Sequence, residues 1–485
     1  MESIIGRAKE KIILEEIYSS KKAEFAAIFG RRRIGKTHLI KNFYKTKPCI
    51  LFHVTGIKSA KTSLQLKQFS KILGVTFYNG ASITTQKNWM DAFDDLTKAI
   101  QAAEQNKKVI LFFDEFPWMA SKKSGLIQAL DYFWNRYWVD IAKVKLIICG
   151  SASSWIINKL IRHKGGLHNR ITRKLALKPF NLHETKLFLH ACKIKLTHGQ
   201  IVQIYMVLGG IPYYLQQIKK GLTAAQNINH LCFNKDGLLF AEFDEVFSSL
   251  FEESEAYKEL IILINGLREG MSRKQIEKST GKGGRLTQRL RDLENAGFIS
   301  EFIPLGHKHK GVYYRIIDEY CCFYLTWIQP AKSTLLREEV NTEYWQMKVS
   351  TPKYRNWLGY AFETICYKHI SNIRKTLNIN YQAEVGAWRY SPRLEKQGQG
   401  AQIDLLFDRY DGAVTICEIK YTEQPFVIDK AYSQNLLNKT TVYKRETKTK
   451  KQIFFAMISA NGIKPTMYSE ELVSGVVTLD DLFTE

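Results

Sequence analysis

Eight cysteines (Cys49, Cys149, Cys192, Cys232, Cys321, Cys322, Cys366 and Cys417) are scattered over 485 residues without one C-x-x-C pair, and several sit in apolar runs. They read as reduced core residues of a cytosolic protein. No apolar stretch approaches the ~18 residues that a membrane span needs, and the first ten residues already carry charge, so secretion and membrane insertion are not expected and the cytoplasm is. Low-complexity segments and fixed-period repeats are missing too. Acidic residues are in deficit: 47 Asp plus Glu stand against 71 Lys plus Arg, a formal net charge of +24. That surplus points to a polyanionic partner, nucleic acid before a neutral metabolite, with simple solubility as the alternative. The apolar share of 45% is ample for packed cores, and the length suggests about three domains.

What is present begins with a glycine-bounded loop. Gly30, Arg31, Arg32, Arg33, Ile34, Gly35, Lys36 and Thr37 follow the apolar, strand-like residues 25–29 and open a helix-like segment that runs through Tyr44. Glycines at both ends let the backbone curl so that successive N–H groups, and the positive end of the helix, point at a β-phosphate. Lys36 then reaches the β- and γ-phosphates, and the Thr37 hydroxyl ligates Mg²⁺. A second acidic strand end completes such a site. Residues 109–113 form a continuous apolar run of the kind a buried parallel strand shows, and they end in Asp114 and Glu115. Asp114 suits the metal shell, and Glu115 suits the base that orients an attacking water. Residues 145–149 read as one more buried strand, closing in Gly150 and a serine cluster. Ser151 there is either a γ-phosphate sensor or part of an ordinary helix cap before Trp155.

From Ile4 to about Phe180, short apolar strands alternate with amphipathic helices, as in a parallel sheet covered on both faces. Trp89, Phe93, Leu96 and Ile100 recur at helical spacing and read as a core stripe. Strand signals vanish between residues 181 and 250, which read as a helical lid. Gly209, Gly210 and Pro212 break that segment with a sharp turn, placed beside a nucleotide or merely joining two helices. Residues 251–335 predict three short helices (257–267, 272–280 and 285–296) and two strands (298–304 and 312–317), the pattern of a winged helix. Arg285, Gln288, Arg289 and Arg291 crowd the third helix, and Lys308 and Lys310 tip the wing. Such a module binds either DNA or protein. His307 and His309 read as solvated loop residues.

A second constellation lies in residues 336–485. Residues 401–407 and 414–420 predict two strands around a turn at Asp411 and Gly412. If they pair antiparallel, Asp404 meets Glu418, and Lys420 shares the face of Glu418. Two carboxylates and a lysine so placed form a divalent-metal site with a water-activating ammonium, the parts that phosphodiester cleavage needs. Glu363, on a helix around residues 360–370, is a further candidate ligand. A surface ion-pair cluster is the competing reading, disfavoured because Ile403, Leu405, Ile416 and Ile419 press the charges into an apolar sheet. The basic run Lys439, Lys444, Arg445, Lys448, Lys450 and Lys451 suits a phosphate backbone, or is a solvated face.

Taken together, these residues resemble the archaeal-type ATPases of the AAA+/STAND group that carry a carboxy-terminal restriction-endonuclease-like domain. The resemblance rests on Ile5, Gly6 and Arg7 before the first helix, the loop with three arginines, Asp114-Glu115 followed by Phe116-Pro117, residues 150–154, Arg170 ahead of Lys178-Pro179-Phe180, and residues 209–215. It implies an α/β chain made of a P-loop NTPase core (1–180), a helical lid (181–250), a winged helix (251–335) and an α/β restriction-endonuclease-like domain (336–485). By resemblance, Ile5, Gly6 and Arg7 contact the adenine end of ATP, Arg170 is a sensor or arginine finger, and Asp404, Glu418 and Lys420 are a PD-(D/E)xK triad. The motif's proline-aspartate pair is absent here, since Asp404 follows Ile403. The cofactors expected are ATP and Mg²⁺, with Mn²⁺ as a substitute at the second site. DNA is the expected partner, and the chain itself a potential one as a homo-oligomer. The leading expectation is an ATP-regulated DNA nuclease. The alternatives are an ATP-gated DNA- or protein-binding switch on a non-catalytic scaffold and, more weakly, a ring-forming helicase-like motor.

Overall fold

The computed structural model describes residues 3–151, 153–161, 167, 169–267, 270–281, 283–305, 311–337, 343–390 and 400–485. The chain divides into two compact units. One comprises residues 1–179, 211–213 and 287–297, and the other residues 180–210, 214–286 and 298–485. The expected lid outside residues 211–213, the expected winged helix outside residues 287–297, and all of the expected carboxy-terminal domain therefore fall in the second unit.

The first unit is built on five strands: β1 (Glu24–Phe29), β2 (Cys49–Thr55), β3 (Lys108–Asp114), β4 (Val144–Gly150) and β5 (Arg173–Ala176). They are all parallel, in the order β2-β3-β4-β1-β5. Each parallel pair needs a crossover, and the intervening helices cover the sheet. That is why β3 reads as an unbroken apolar run instead of alternating. Val109, Leu111 and Phe113 join one core cluster while Ile110 and Phe112 are buried on the other side. The stripe Trp89, Phe93, Leu96 and Ile100 lies on helix Trp89–Ala102, fully buried in that cluster. Asn88 caps this helix by accepting from the Asp91 N–H at 3.0 Å.

The second unit begins with helices Leu182–Ala191, His198–Leu208, Ala224–Cys232 and Leu238–Leu250. The double glycine has a steric cause: a Cβ on Gly210 would stand 1.8 Å from the Phe180 carbonyl oxygen. Phe180 N–H donates to the Gly210 carbonyl at 2.7 Å, and the Tyr205 hydroxyl donates to Phe180 O at 2.8 Å. Trp345, 1% exposed, is enclosed by Phe233, Phe323, Trp327, Tyr354 and Trp357, and its backbone N–H donates to Asn229 Oδ1 at 2.7 Å. Through this aromatic nucleus, helix Ala224–Cys232 packs on segments that follow the expected winged helix. Shared packing of this kind has no periodicity of its own in the sequence.

In the region expected as a winged helix, helices Ser254–Asn265, Arg273–Thr280 and Leu286–Asn295 occur near the expected positions. Ser272 caps the second in a reciprocal box with Gln275. Strands β7 (Ile299–Phe302) and β8 (Tyr313–Ile316) pair antiparallel, and a strand the sequence did not suggest, β6 (Met271–Ser272), adds to β8. Gly306, His307, Lys308, His309 and Lys310 lie outside the described residues. Arg285 is ion-paired with Glu253, and Gln288 donates to Asp292 at 2.7 Å.

The last sheet contains β9 (Glu384–Tyr390), β10 (Ala401–Asp408), β11 (Ala413–Lys420), β13 (Gln452–Ser459) and β15 (Val473–Val477), in the order β15-β13-β11-β10-β9. The short strands β12 (Phe426–Val427) and β14 (Ile463–Lys464) pair beside it. β9, β10 and β11 form an antiparallel meander, after which helix Lys430–Thr447 crosses over and β13 returns parallel to β11. Gly412, at φ 81°, turns the chain between β10 and β11 where a side chain would be strained.

Candidate functional sites

At the first site, β1 delivers the chain into the glycine-bounded loop, and helix Lys36–Lys45 starts from Gly35 at φ 86°. Lys36 is 6% exposed, and its ammonium donates to the carbonyls of Gly30 (2.9 Å) and Arg31 (2.8 Å). Burial pushes this ammonium below its ordinary pKa. Gly30 is required by close approach, since a Cβ there would meet Leu177 O at 2.3 Å. Thr37 Oγ1 donates to Asp114 Oδ2 at 2.7 Å across the junction of helix and β3. Burial works to raise the Asp114 pKa, but the neighbouring His53 ring and the Thr37 hydrogen bond outweigh it and hold the carboxyl below its usual range. His53, on β2, was not singled out from the sequence; it stacks on Phe112 and places Nε2 3.8 Å from Asp114 Oδ2.

Glu115 follows at φ 45°, a left-handed conformation rare for a non-glycine residue. Ser151 grips its carboxylate: Ser151 Oγ donates to Oε1 (3.1 Å) and Oε2 (3.0 Å), and the Ser151 N–H donates to Oε2 (3.1 Å). The serine thus engages the expected base itself. Arg7 is buried, with Nη1 donating to Lys178 O (2.6 Å) and Nη2 to Ile34 O (3.1 Å). Its guanidinium ties the loop to the chain after β5. Ile5 and Gly6 are half-buried before it, Arg31 is buried and Arg32 half-buried. Arg33, at φ 71°, lies over the Tyr213 ring at 4.6 Å. Arg170 is exposed.

At the second site the register is decisive. Leu405 pairs with Cys417 in the antiparallel β10–β11 ladder, so the next step brings Asp404 opposite Glu418. Helix Pro352–Lys368, started by Pro352 and capped by Thr351, contributes Glu363 to the same cleft. The cleft has a volume of about 590 Å³ and is also lined by Arg355, Lys420 and Lys439. Asp404 Oδ2 accepts the Ile419 N–H at 3.2 Å, and the Tyr367 hydroxyl donates to the Asp404 carbonyl at 2.7 Å. Arg315 of β8 lies over the Tyr367 ring at 4.0 Å.

Burial, reinforced by the Asp404 charge, pushes Glu363 up to about 8. Burial and the Glu418 charge raise Asp404 to about 6. Glu418, 3% exposed, goes the other way, because two lysines outweigh its burial. Its Oε1 accepts from Tyr432 (2.7 Å) and forms an ion pair with Lys420 (3.0 Å), and Oε2 accepts from Lys439 (2.6 Å). Tyr432 and Lys439 are seven residues apart on helix Lys430–Thr447, so they share a face with buried Leu436 between them. The sequence placed Lys439 in a basic run; its spacing from Tyr432 is the signal for its true position. Of that run, Lys451 pairs with Asp408 and Arg445 with Glu446.

In this arrangement, among the described residues, no three His, Cys, Asp or Glu side chains are grouped closely enough to hold a metal ion. The donors facing the cleft are nonetheless hard carboxylate oxygens of the kind Mg²⁺ and Mn²⁺ prefer, and one of them already holds a cation in the form of the Lys439 ammonium. The cysteines among the described residues are free. No helix there is long and apolar enough to cross a membrane.

Residues 5–218 match an ATPase domain family predominantly from Archaea, and residues 324–436 match a family described as archaeal and bacterial proteins of unknown function. The uncharacterized protein MJECL04 of Methanocaldococcus jannaschii is 26% identical over 426 residues, covering 86% of this chain and 88% of that protein. Among solved structures, the Walker-type ATPase PABY2304 of Pyrococcus abyssi is similar over 67% of this chain and 96% of its own, at 18% identity and a TM-score of 0.47. The ORC2 protein of Aeropyrum pernix is similar over 68% and 96%, at 17% identity and a TM-score of 0.42. The chain carries an ATPase domain, joined to a carboxy-terminal segment whose family has no assigned role.

Proposed function

We propose that ATP bound to this domain regulates a metal-dependent nuclease site in the carboxy-terminal segment, with DNA as substrate. The observation that carries the reading is the convergence of Asp404, Glu418, Lys420 and Glu363 on one cleft beside the paired strands β10 and β11. Burial and a neighbouring carboxylate charge raise two of these groups, Glu363 to about 8 and Asp404 to about 6, a cost that a bound divalent cation would relieve. Asp404 and Glu418 would hold such an ion, with Glu363 beside them. The ion would supply charge to neutralise a phosphodiester in its transition state. Lys420, two residues from Glu418 and on its face, orients the attacking water, and the net charge of +24 favours a polyanionic substrate.

At the ATPase site, Lys36 and the loop N–H groups would receive the phosphates, while Thr37 and Asp114 would hold Mg²⁺. Glu115 orients the water, and Ser151 fixes where Glu115 points. Mg²⁺-dependent DNA cleavage lost in Asp404→Asn, with ATP turnover retained, is the expected result. Equal cleavage by that variant would remove the assignment. A second reading, an ATP-gated DNA- or protein-binding switch on a non-catalytic scaffold, is favoured by one observation: both Glu418 oxygens are already engaged by lysine and tyrosine donors. Tight ATP-dependent DNA retention with no nicking in Mg²⁺ or Mn²⁺ would select it.

A further inference from the structure

Glu418 carries more positive charge than it needs. One ammonium neutralises a carboxylate, yet Lys420 stands 3.0 Å from Oε1 and Lys439 stands 2.6 Å from Oε2. Meanwhile Asp404 and Glu363, on the same cleft, show no ion pair with a described residue. The surplus ammonium comes from another element: Lys420 belongs to β11, as Glu418 does, whereas Lys439 reaches in from helix Lys430–Thr447. Its side chain is 15% exposed against 4% for Glu418, and both residues line the cleft. A lysine stem has four rotatable carbons and its ammonium is a compact point charge, which makes it the residue best suited to leave and return.

We infer that Lys439 is an internal counter-ion that competes with a divalent cation for Glu418, so that cation binding to the cleft requires its displacement. The inference rests on the metal-site reading above and adds to it a built-in brake on cation affinity. An ammonium and a divalent ion cannot both take Oε2, because their repulsion at such a distance is large and poorly screened in a buried cleft. Removing the ammonium therefore tightens cation binding, whereas a merely structural lysine would, when removed, leave it unchanged or weaken it.

The test is calorimetric titration of Mn²⁺ into the full chain without nucleotide or nucleic acid. It compares the parent, Lys439→Gln, Lys439→Met and Lys439→Arg, and takes as cleft binding the part lost in Asp404→Asn. Lys439→Gln and Lys439→Met are expected to lower the Kd at least about five-fold, and Lys439→Arg to change it less than about two-fold. The two neutral substitutions differ in polarity, so a folding defect in one leaves the other informative, and thermal melting checks both. Unchanged or weaker Mn²⁺ binding in the neutral variants, with Asp404-dependent binding present in the parent, overturns the counter-ion role alone. If no variant shows Asp404-dependent binding, the metal-site reading falls and takes this inference with it.

Discussion

Replacing Glu363 with glutamine should stabilise the cation-free protein at alkaline pH. The Glu363 carboxyl sits at about 8 in the folded chain, against an ordinary 4.5, because it is buried beside the Asp404 charge. An acid raised in this way costs nothing below its unfolded pKa, where both states are protonated. Between about pH 4.5 and 8 the unfolded chain ionises while the folded one does not, so stability falls steadily as pH rises through that window. The span of 3.5 pH steps, at about 1.36 kcal/mol each, sets a ceiling of about 5 kcal/mol. Relaxation of the cleft and water entry on ionisation offset part of this, so about 2–4 kcal/mol is expected above pH 8. For a unit of this size that is about 4–8 °C in melting temperature. Thermal melts in chelator from pH 5 to 9 measure it, with the Glu363→Gln advantage growing from near zero to its full value. A difference that is flat with pH would refute the burial argument, and with it the strain on which the cation reading rests.

Three further outcomes follow from the geometry. Ser151→Ala removes a hydroxyl that donates to both Glu115 oxygens; ATP turnover should drop about 10- to 100-fold with nucleotide affinity little changed, as steady-state kinetics and equilibrium binding will show. Gly210→Ala forces a methyl to within 1.8 Å of the Phe180 carbonyl, so it should cost at least about 3 kcal/mol or prevent soluble expression, and a melt within 1 °C or so of the parent would deny the close approach. Trp345→Ala empties the aromatic nucleus around Phe233, Phe323 and Trp327 and should cost about 3–5 kcal/mol in denaturant unfolding.

The nucleotide core was legible because its chemistry is local. Residues 30–37 and the Asp114-Glu115 strand end are each contiguous in sequence, and unbroken apolar runs mark parallel strands covered on both faces. The pairing of Asp404 with Glu418 was legible too, because a period of two and a glycine turn together fix an antiparallel register. The seating of the Arg7 guanidinium on backbone carbonyls was not legible, since it depends on where the chain after β5 returns, 171 residues later. Lys439 was lost in a run of like charges because composition hides which side of a helix turns inward. The grouping of helix Ala224–Cys232 with Trp345 comes from long-range aromatic packing that no local pattern announces.

The most direct test of the central claim is a plasmid assay. Purified protein is incubated with supercoiled and linear DNA in Mg²⁺ or Mn²⁺, with and without ATP, beside Lys36→Ala and Lys420→Ala. Cleavage that disappears in Lys420→Ala and changes its ATP response in Lys36→Ala is the predicted result. Intact DNA under every condition, alongside measurable ATP turnover, would contradict an ATP-regulated nuclease and leave the switch.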